Sequence, residues 1–225
     1  MLLLGVDEAG RGCVIGPLII VGVLVDAEGQ VRLLEIGVRD SKLLTRSQRE
    51  ALAPMIRDIA LRVCIEEVSP SDIDEVVMKG RRLHKLNRLE ARRMAAIVEE
   101  LKPDVAVVDA ADVRPERFKQ HIIENLSSPL ELVSEHKADE NYPVVSAASI
   151  IAKVVRDRKV DGLKSTYGDF GSGYMGDRRT KEFLLNLART CKDYPDFIRR
   201  SWKPARLAKR LGNTKQTRLD EKAKC

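Results

Sequence analysis

Apolar residues near the start of the chain fall in two blocks, Leu2 to Val6 and Leu18 to Val25. Between them lies a stretch rich in turn residues, Ala9-Gly10-Arg11-Gly12-Cys13-Val14-Ile15-Gly16-Pro17. Short apolar runs bounded by Gly and Pro predict buried strands. Glu28-Gly29 predicts a turn, with a short third strand after it. Ser47 to Ile59 predicts a helix despite Pro54, and Leu61 to Val68 a further strand. Pro70-Ser71-Asp72 opens a helical region in which Leu83, Leu86, Met94, Ile97 and Leu101 recur at helical spacing, and Pro103 stops it. Asp104 to Asp109 predicts a short strand, Pro115 to Leu126 a helix, Leu130 to Val133 a strand, and Pro143 to Lys164 a helix with Pro in its first turn. Residues 168–177 form a Gly-rich loop, with helical segments from about Arg179.

Strands come first in antiparallel style and then alternate with helices, which predicts a mixed α/β sheet. There is no internal repeat and no low-complexity linker. The one shift in composition starts near Ser201, so residues 1–200 are expected to form the main domain and 201–225 a basic, helical tail.

Composition narrows the classes. A hydrophobic share of 44% with 33% charged residues describes a soluble globular protein, and only 4% aromatics leaves the core to Val, Ile, Leu and Ala. A net charge of +6 favours a polyanionic partner, although a solvated mixed surface gives the same number. Cys13, Cys64, Cys191 and Cys225 form no CxxC pair, so neither a zinc cage nor a disulfide framework is indicated and a reducing cytoplasm is expected. The N-terminus lacks the basic lead of a signal peptide, and no apolar run reaches membrane-spanning length, so no membrane partner is expected.

The candidate chemistry is acidic. Asp7-Glu8 follows a buried strand directly; two adjacent carboxylates cannot both face a core, and burying one unpaired is costly. Asp109 ends another short strand in the same way, and functional groups gather at the carboxyl ends of parallel strands. Neighbouring strands lie about 5 Å apart, so Asp7 and Asp109 could reach one hard cation. A third acidic cluster, Ser134 to Glu140, precedes the Pro143 helix; with Asp139 it makes four carboxylates, enough for two ions. Each acid taken singly is more often a surface residue than a catalytic one; their joint placement shifts that balance.

Other motifs carry less. Gly10-Arg11-Gly12 follows a strand but leads into Pro17 and another strand, and Gly171 to Gly176 follows a helix, so neither fits a dinucleotide-binding loop. Both are explained by turn geometry or by a backbone that must approach a sugar or phosphate closely. Arg81, Lys85, Arg88 and Arg92 share a helical face, more commonly a solvated face than a phosphate contact. Ser146-Ala147-Ala148-Ser149 and Ala152 suit close helix–sheet packing. Lys42 and Lys153 are single cations near the acids, and His84 and His136 read as ordinary surface histidines.

Asp7-Glu8-Ala9-Gly10-Arg11-Gly12, Asp40-Ser41-Lys42, Val108-Asp109, the run from Glu135-His136-Lys137-Ala138-Asp139 through Ser146-Ala147-Ala148-Ser149-Ile150-Ile151-Ala152-Lys153, and Gly171-Ser172-Gly173-Tyr174 together resemble ribonuclease HII, most nearly its single-chain archaeal type. The resemblance spans about residues 1–200, with the motifs in family order. It implies a ribonuclease H-like fold: a mixed five-stranded sheet flanked by helices, with a C-terminal helical extension. It further implies an endoribonuclease that cuts on the 5′ side of a ribonucleotide in RNA–DNA hybrids and ribonucleotide-containing duplex DNA, leaving 3′-hydroxyl and 5′-phosphate. By the same resemblance Asp7, Glu8, Asp109 and Asp139 bind two Mg²⁺ or Mn²⁺ ions. Gly10, Arg11 and Gly12 sense the 2′-hydroxyl through the backbone, Tyr174 stacks on the following sugar, and Lys42 and Ser146 join the substrate contacts. Asp112 and Glu140 compete by position with Asp109 and Asp139. Gln216-Thr217-Arg218-Leu219 begins like the family's sliding-clamp peptide, but Lys222-Ala223 replace its aromatic pair, which speaks against clamp binding. Monomer is the default. The rivals are a nuclease of the same fold acting on DNA and a non-catalytic basic RNA-binding protein.

Overall fold

The computed structural model describes residues 1–38, 43–79 and 83–211. In chain order the elements are β1 (Leu3–Ala9), β2 (Leu18–Val25), α1 (Ala27–Glu35), α2 (Arg46–Ile59), β3 (Arg62–Val68), α3 (Pro70–Lys79), α4 (Lys85–Leu101), β4 (Val105–Asp109), α5 (Pro115–Ile123), β5 (Glu131–Glu135), α6 (Ala138–Asn141), α7 (Pro143–Tyr167) and α8 (Arg178–Thr190). The five strands form one sheet in the order β3-β2-β1-β4-β5. The β1–β2 and β2–β3 pairs are antiparallel, whereas β1–β4 and β4–β5 are parallel. This is the mixed five-stranded sheet expected from the sequence.

One element corrects the sequence reading. Glu28-Gly29 is no turn and no strand follows it; both residues lie in helix α1. Asp26 caps that helix by accepting from Gly29 N at 2.8 Å. Gly29 is small because a Cβ there would sit 3.0 Å from that of Val25, a packing reason that mimics a turn signal. Asp139, placed by sequence only in an acidic cluster before the Pro143 helix, lies in the single turn α6.

Two compact units are seen among the described residues. The first comprises residues 1–9, 18–68 and 83–157, and the second 10–17, 69–79 and 158–211. In the first unit, alternation along the strands sends Leu3, Ile19, Val21, Val23 and Val107 into one aliphatic cluster with Ala147, Ala148 and Ile151 of α7. Gly5 belongs to that face. A Cβ there would run into the Val144–Val145 peptide, so glycine lets the start of α7 lie directly on the central strand. That approach positions everything α7 carries. On the opposite face, Gly22 gives room to Ile97 of α4.

The second unit gathers Val14, Ile15, Phe170, Leu184, Phe197 and Ile198 into its own core. Phe170, Phe183 and Phe197 cluster here with ring centroids 5.4–6.4 Å apart, so three of the four phenylalanines serve this unit. The aliphatic core expected from composition therefore describes the first unit, whereas the second adds aromatic rings to its Val, Ile, Leu and Ala. Residues 203–211 are helical. Ala205 and Ala208 are buried, and Tyr194 Oη donates to Ala205 O at 3.0 Å, so the start of the C-terminal segment is built into this unit. Among the described residues no helix is long and apolar enough to cross a membrane. Cys13, Cys64 and Cys191 are unbridged, and Cys225 lies outside the described residues.

Candidate active site

Register places the acids. Val6 pairs with Val108 across the parallel β1–β4 ladder, so Asp7 and Asp109 follow in step on adjacent strands. Alternation puts both on the α7 face, because Gly5, Ala9 and Val107 lie on that side. Asp7 is only 4% exposed. Its carboxylate accepts from Glu8 N at 2.7 Å and is hydrogen-bonded by Ser149. Ser149 Oγ in turn accepts from Lys153 Nζ at 2.8 Å. Residues 149 and 153 are one helical turn apart, so α7 presents a short cation–hydroxyl–carboxylate chain.

The balance at Asp7 is unfavourable to its charge. Burial is the largest influence and outweighs the Ser149 hydrogen bond; the Asp109 charge adds to it, and Lys153 offsets part. The carboxyl is pushed up to about 7.

Asp109 is held from a third direction. Its Oδ1 accepts from Ala138 N at 3.0 Å. Lys137, at φ 61°, makes the left-handed step from β5 into α6 that aims this N–H. Asp139 follows immediately and is buried, whereas Glu140 is ion-paired to Lys137 at 3.0 Å. Asp112 is also buried, but Asn87, Arg114 N and Arg117 all donate to it. Asp139 and Glu140 thus differ in burial, and Asp112 differs from Asp109 in the Arg117 guanidinium that grips it.

The first unit brings Asp7, Asp109, Ser149 and Lys153 together, with Asp139 beside the residue that binds Asp109. Glu8 starts from the opposite face of β1, with its Oε2 in a buried position. Among the described residues no three His, Cys, Asp or Glu side chains converge into a ready-made metal cage. The donor set nevertheless fits a hard cation. It is all carboxylate oxygen, and Asp7 carries a charge its surroundings disfavour, which a divalent ion would relieve. Ser146 is buried three residues before Ser149, on the same stripe of α7. Lys42, with Asp40 and Ser41, lies outside the described residues, as does Arg81. Of the other candidate cations, Arg88 is ion-paired to Glu124 at 2.8 Å. His136 Nε2 lies 3.3 Å from Val113 O.

The other sequence-expected residues lie in the second unit. Gly10 adopts φ 89°, and Gly12 is exposed. A Cβ on Gly12 would lie 3.9 Å from Tyr174 Cε1, so loop and ring share a face. Tyr174 sits in a stiff hairpin of bonds: Gly173 O accepts from Val14 N at 2.8 Å, and Gly173 N donates to Thr180 Oγ1 at 3.0 Å. Asp177 accepts from Ser172 N at 2.7 Å, leaving no room for a side chain at Gly171.

Sequence reasoning missed three residues. It read Ser149 as packing and Lys153 as a stray cation, although their i, i+4 spacing on the small-residue face was a usable signal. It did not single out Arg199, whose side chain is the largest of those fully buried. In a run of basic residues nothing marked it.

The ribonuclease HII family model matches residues 4–205. Ribonuclease HII of Pyrococcus horikoshii is 45% identical over 223 residues, covering 98% of this chain and 99% of the relative. The crystal structure of ribonuclease H2 from Pyrococcus horikoshii OT3 superposes with a TM-score of 0.86 over 95% of this chain and 99% of that one, at 45% identity. A ribonuclease HII solved in complex with PCNA, from Archaeoglobus fulgidus, gives 0.81 at 44% identity over 90% and 96%. The chain belongs to the ribonuclease HII family, hydrolases that cleave RNA in RNA–DNA hybrids.

Proposed function

We propose that this endoribonuclease cuts the phosphodiester on the 5′ side of a ribonucleotide, in RNA–DNA hybrids and in duplex DNA with embedded ribonucleotides, leaving 3′-hydroxyl and 5′-phosphate. The observation that carries this reading is the Asp7 carboxyl, buried beside Asp109 and pushed up to about 7. A site built to hold surplus negative charge suits a cation-dependent reaction on a phosphodiester. Asp7, Glu8, Asp109 and Asp139 would hold two Mg²⁺ or Mn²⁺ ions. Such ions, when bound, stabilise the charge on the attacking and leaving oxygens.

The chain's own residues do the rest. Lys153 and Ser149 fix the direction of the Asp7 carboxylate. The Gly10-Arg11-Gly12 backbone reads the 2′-hydroxyl, the one group that separates RNA from DNA at a nucleotide. Tyr174 lies flat on the next sugar and disfavours a second hydroxyl there. Lys42 and Ser146 contact the strand. Removal of RNA primers and excision of single ribonucleotides, in the cytoplasm, are the cellular tasks that follow.

The sliding clamp belongs among the partners to test. The Archaeoglobus relative was captured with PCNA. The corresponding peptide here lacks its aromatic pair and lies outside the described residues.

A duplex carrying one ribonucleotide, incubated with and without Mg²⁺ or Mn²⁺ beside an all-DNA control, tests the reading. Metal-dependent cutting 5′ of the ribonucleotide alone is expected. Cutting of the control would favour a DNA nuclease, and no cutting a binding protein.

A further inference from the structure

The Arg199 side chain is fully buried, and its guanidinium spends its donors on one short loop. Nη2 donates to Gly10 O at 2.6 Å, Nη1 to Arg11 O at 2.7 Å, and Nε to Gly16 O at 3.1 Å. The backbone of the same residue donates to Val14 O at 2.9 Å. The cation also lies 5.0 Å from the centre of the Trp202 ring. A buried guanidinium is costly unless hydrogen-bonded, so these carbonyls and the cation are mutually required. Only a planar fork with donors on three nitrogens can bridge carbonyls at positions 10, 11 and 16.

Peptide planarity turns that grip into a direction. In a trans peptide the carbonyl oxygen and the following N–H point to opposite sides. Drawing Gly10 O and Arg11 O onto the guanidinium therefore turns the N–H groups of Arg11 and Gly12 the other way. Gly12 also borders Tyr174, so these donors share the face of the ring. Two neighbouring N–H groups suit one hydroxyl oxygen, which has two lone pairs to offer. A deoxyribose offers nothing there.

We propose that Arg199 is the positioning residue for ribonucleotide recognition. It holds the Gly10–Gly12 carbonyls inward so that the loop's N–H groups meet the 2′-hydroxyl, and it thereby sets the discrimination between ribose and deoxyribose. This rests on the reading of that loop given under Proposed function.

The test compares binding to a duplex with one ribonucleotide against an all-DNA duplex, with calcium replacing magnesium so that cutting is held off. Arg199→Lys keeps a cation but loses the fork. It should cut the ribose preference at least fivefold while leaving all-DNA affinity unchanged, a split that general loosening would not produce. Trp202→Leu should shift the same ratio less, and it decides the matter if Arg199→Lys melts below the assay temperature. Gly12→Ala reports on the loop itself, since its methyl makes only ordinary contact with Tyr174. Preference lost in Gly12→Ala but kept in a folded Arg199→Lys, or in Trp202→Leu when that variant must decide, overturns the role of Arg199. Preference kept in Gly12→Ala, or absent in the parent, overturns the reading of the loop instead.

Discussion

Asp7 and Asp112 belong to the same unit, both are shut off from solvent, and their titrations move in opposite directions. Asp112 has a full set of donors. Arg117 Nε donates at 2.8 Å, Asn87 Nδ2 at 2.6 Å and Arg114 N at 2.9 Å, and the Arg117 guanidinium above all holds the carboxyl well below the usual carboxylate range. Asp7 has Ser149, Glu8 N and a more remote Lys153, but burial outweighs them and Asp109 adds a like charge. A buried carboxylate with complete partners ties the β4–α5 connection in place. One buried with a like charge is kept for something that binds. The contrast is the ground on which the proposed function rests with Asp7 rather than with every inaccessible acid.

The sharpest way to break the comparison is to neutralise each acid. Asp7→Asn, or Asp109→Asn, should slow cleavage on the order of 10³-fold or more, about 4 kcal/mol of transition-state stabilisation. Asp112→Asn should leave single-turnover cleavage unchanged once the protein is folded; a comparable loss there would erase the distinction. Ser149→Ala comes next. It leaves Asp7 in place but frees its direction, and misplacement of this kind costs up to about 10²-fold. If Ser149→Ala cuts as fast as the parent, the α7 chain has no part in the chemistry. Smaller again is the stability effect at Asp112. Asp112→Ala leaves Arg114 N and Asn87 without their acceptor, and a urea midpoint should report a loss of about 1–3 kcal/mol.

Much of this was legible in the sequence, and the reasons are specific. The continuous apolar runs Leu2–Val6 and Leu18–Val25, bounded by Gly and Pro, marked buried strands, and a carboxylate directly after an apolar strand drew attention to Asp7 and Asp109. Two adjacent carboxylates could not both face the core, and within β1 Asp7 and Glu8 do start from opposite faces. Helix α1 was missed because Gly29 reads as turn chemistry, whereas its small size serves contact with Val25. Asp109 could not be told from Asp112 because the donors that occupy Asp112 come from positions 87 and 117, distances along the chain that carry no local pattern. Arg199 reaches back 183 to 189 residues to its carbonyls, so a basic run concealed it.

The two aspartates should also write opposite signatures into stability against pH. Asp7 has its folded pKa raised from 3.8 to about 7, so between those values the folded protein binds more protons than the unfolded chain. Its contribution therefore turns increasingly unfavourable as pH rises from about 4 to about 7. Asp112 has its folded pKa lowered, so its contribution is fully present above the unfolded value and fades as pH falls below it. Thermal melts of metal-free Asp7→Asn against the parent should coincide near pH 4 and separate toward pH 7, the variant melting higher. Asp112→Asn should do the reverse, melting lower than the parent at neutral pH and approaching it in acid. Mg²⁺ or Mn²⁺ at pH 7 should raise the parent toward Asp7→Asn, because a bound cation removes the cost of the Asp7 charge. An Asp7→Asn curve parallel to the parent across that range would mean that the carboxylate is already compensated, and that the charge surplus on which the cation site rests does not exist.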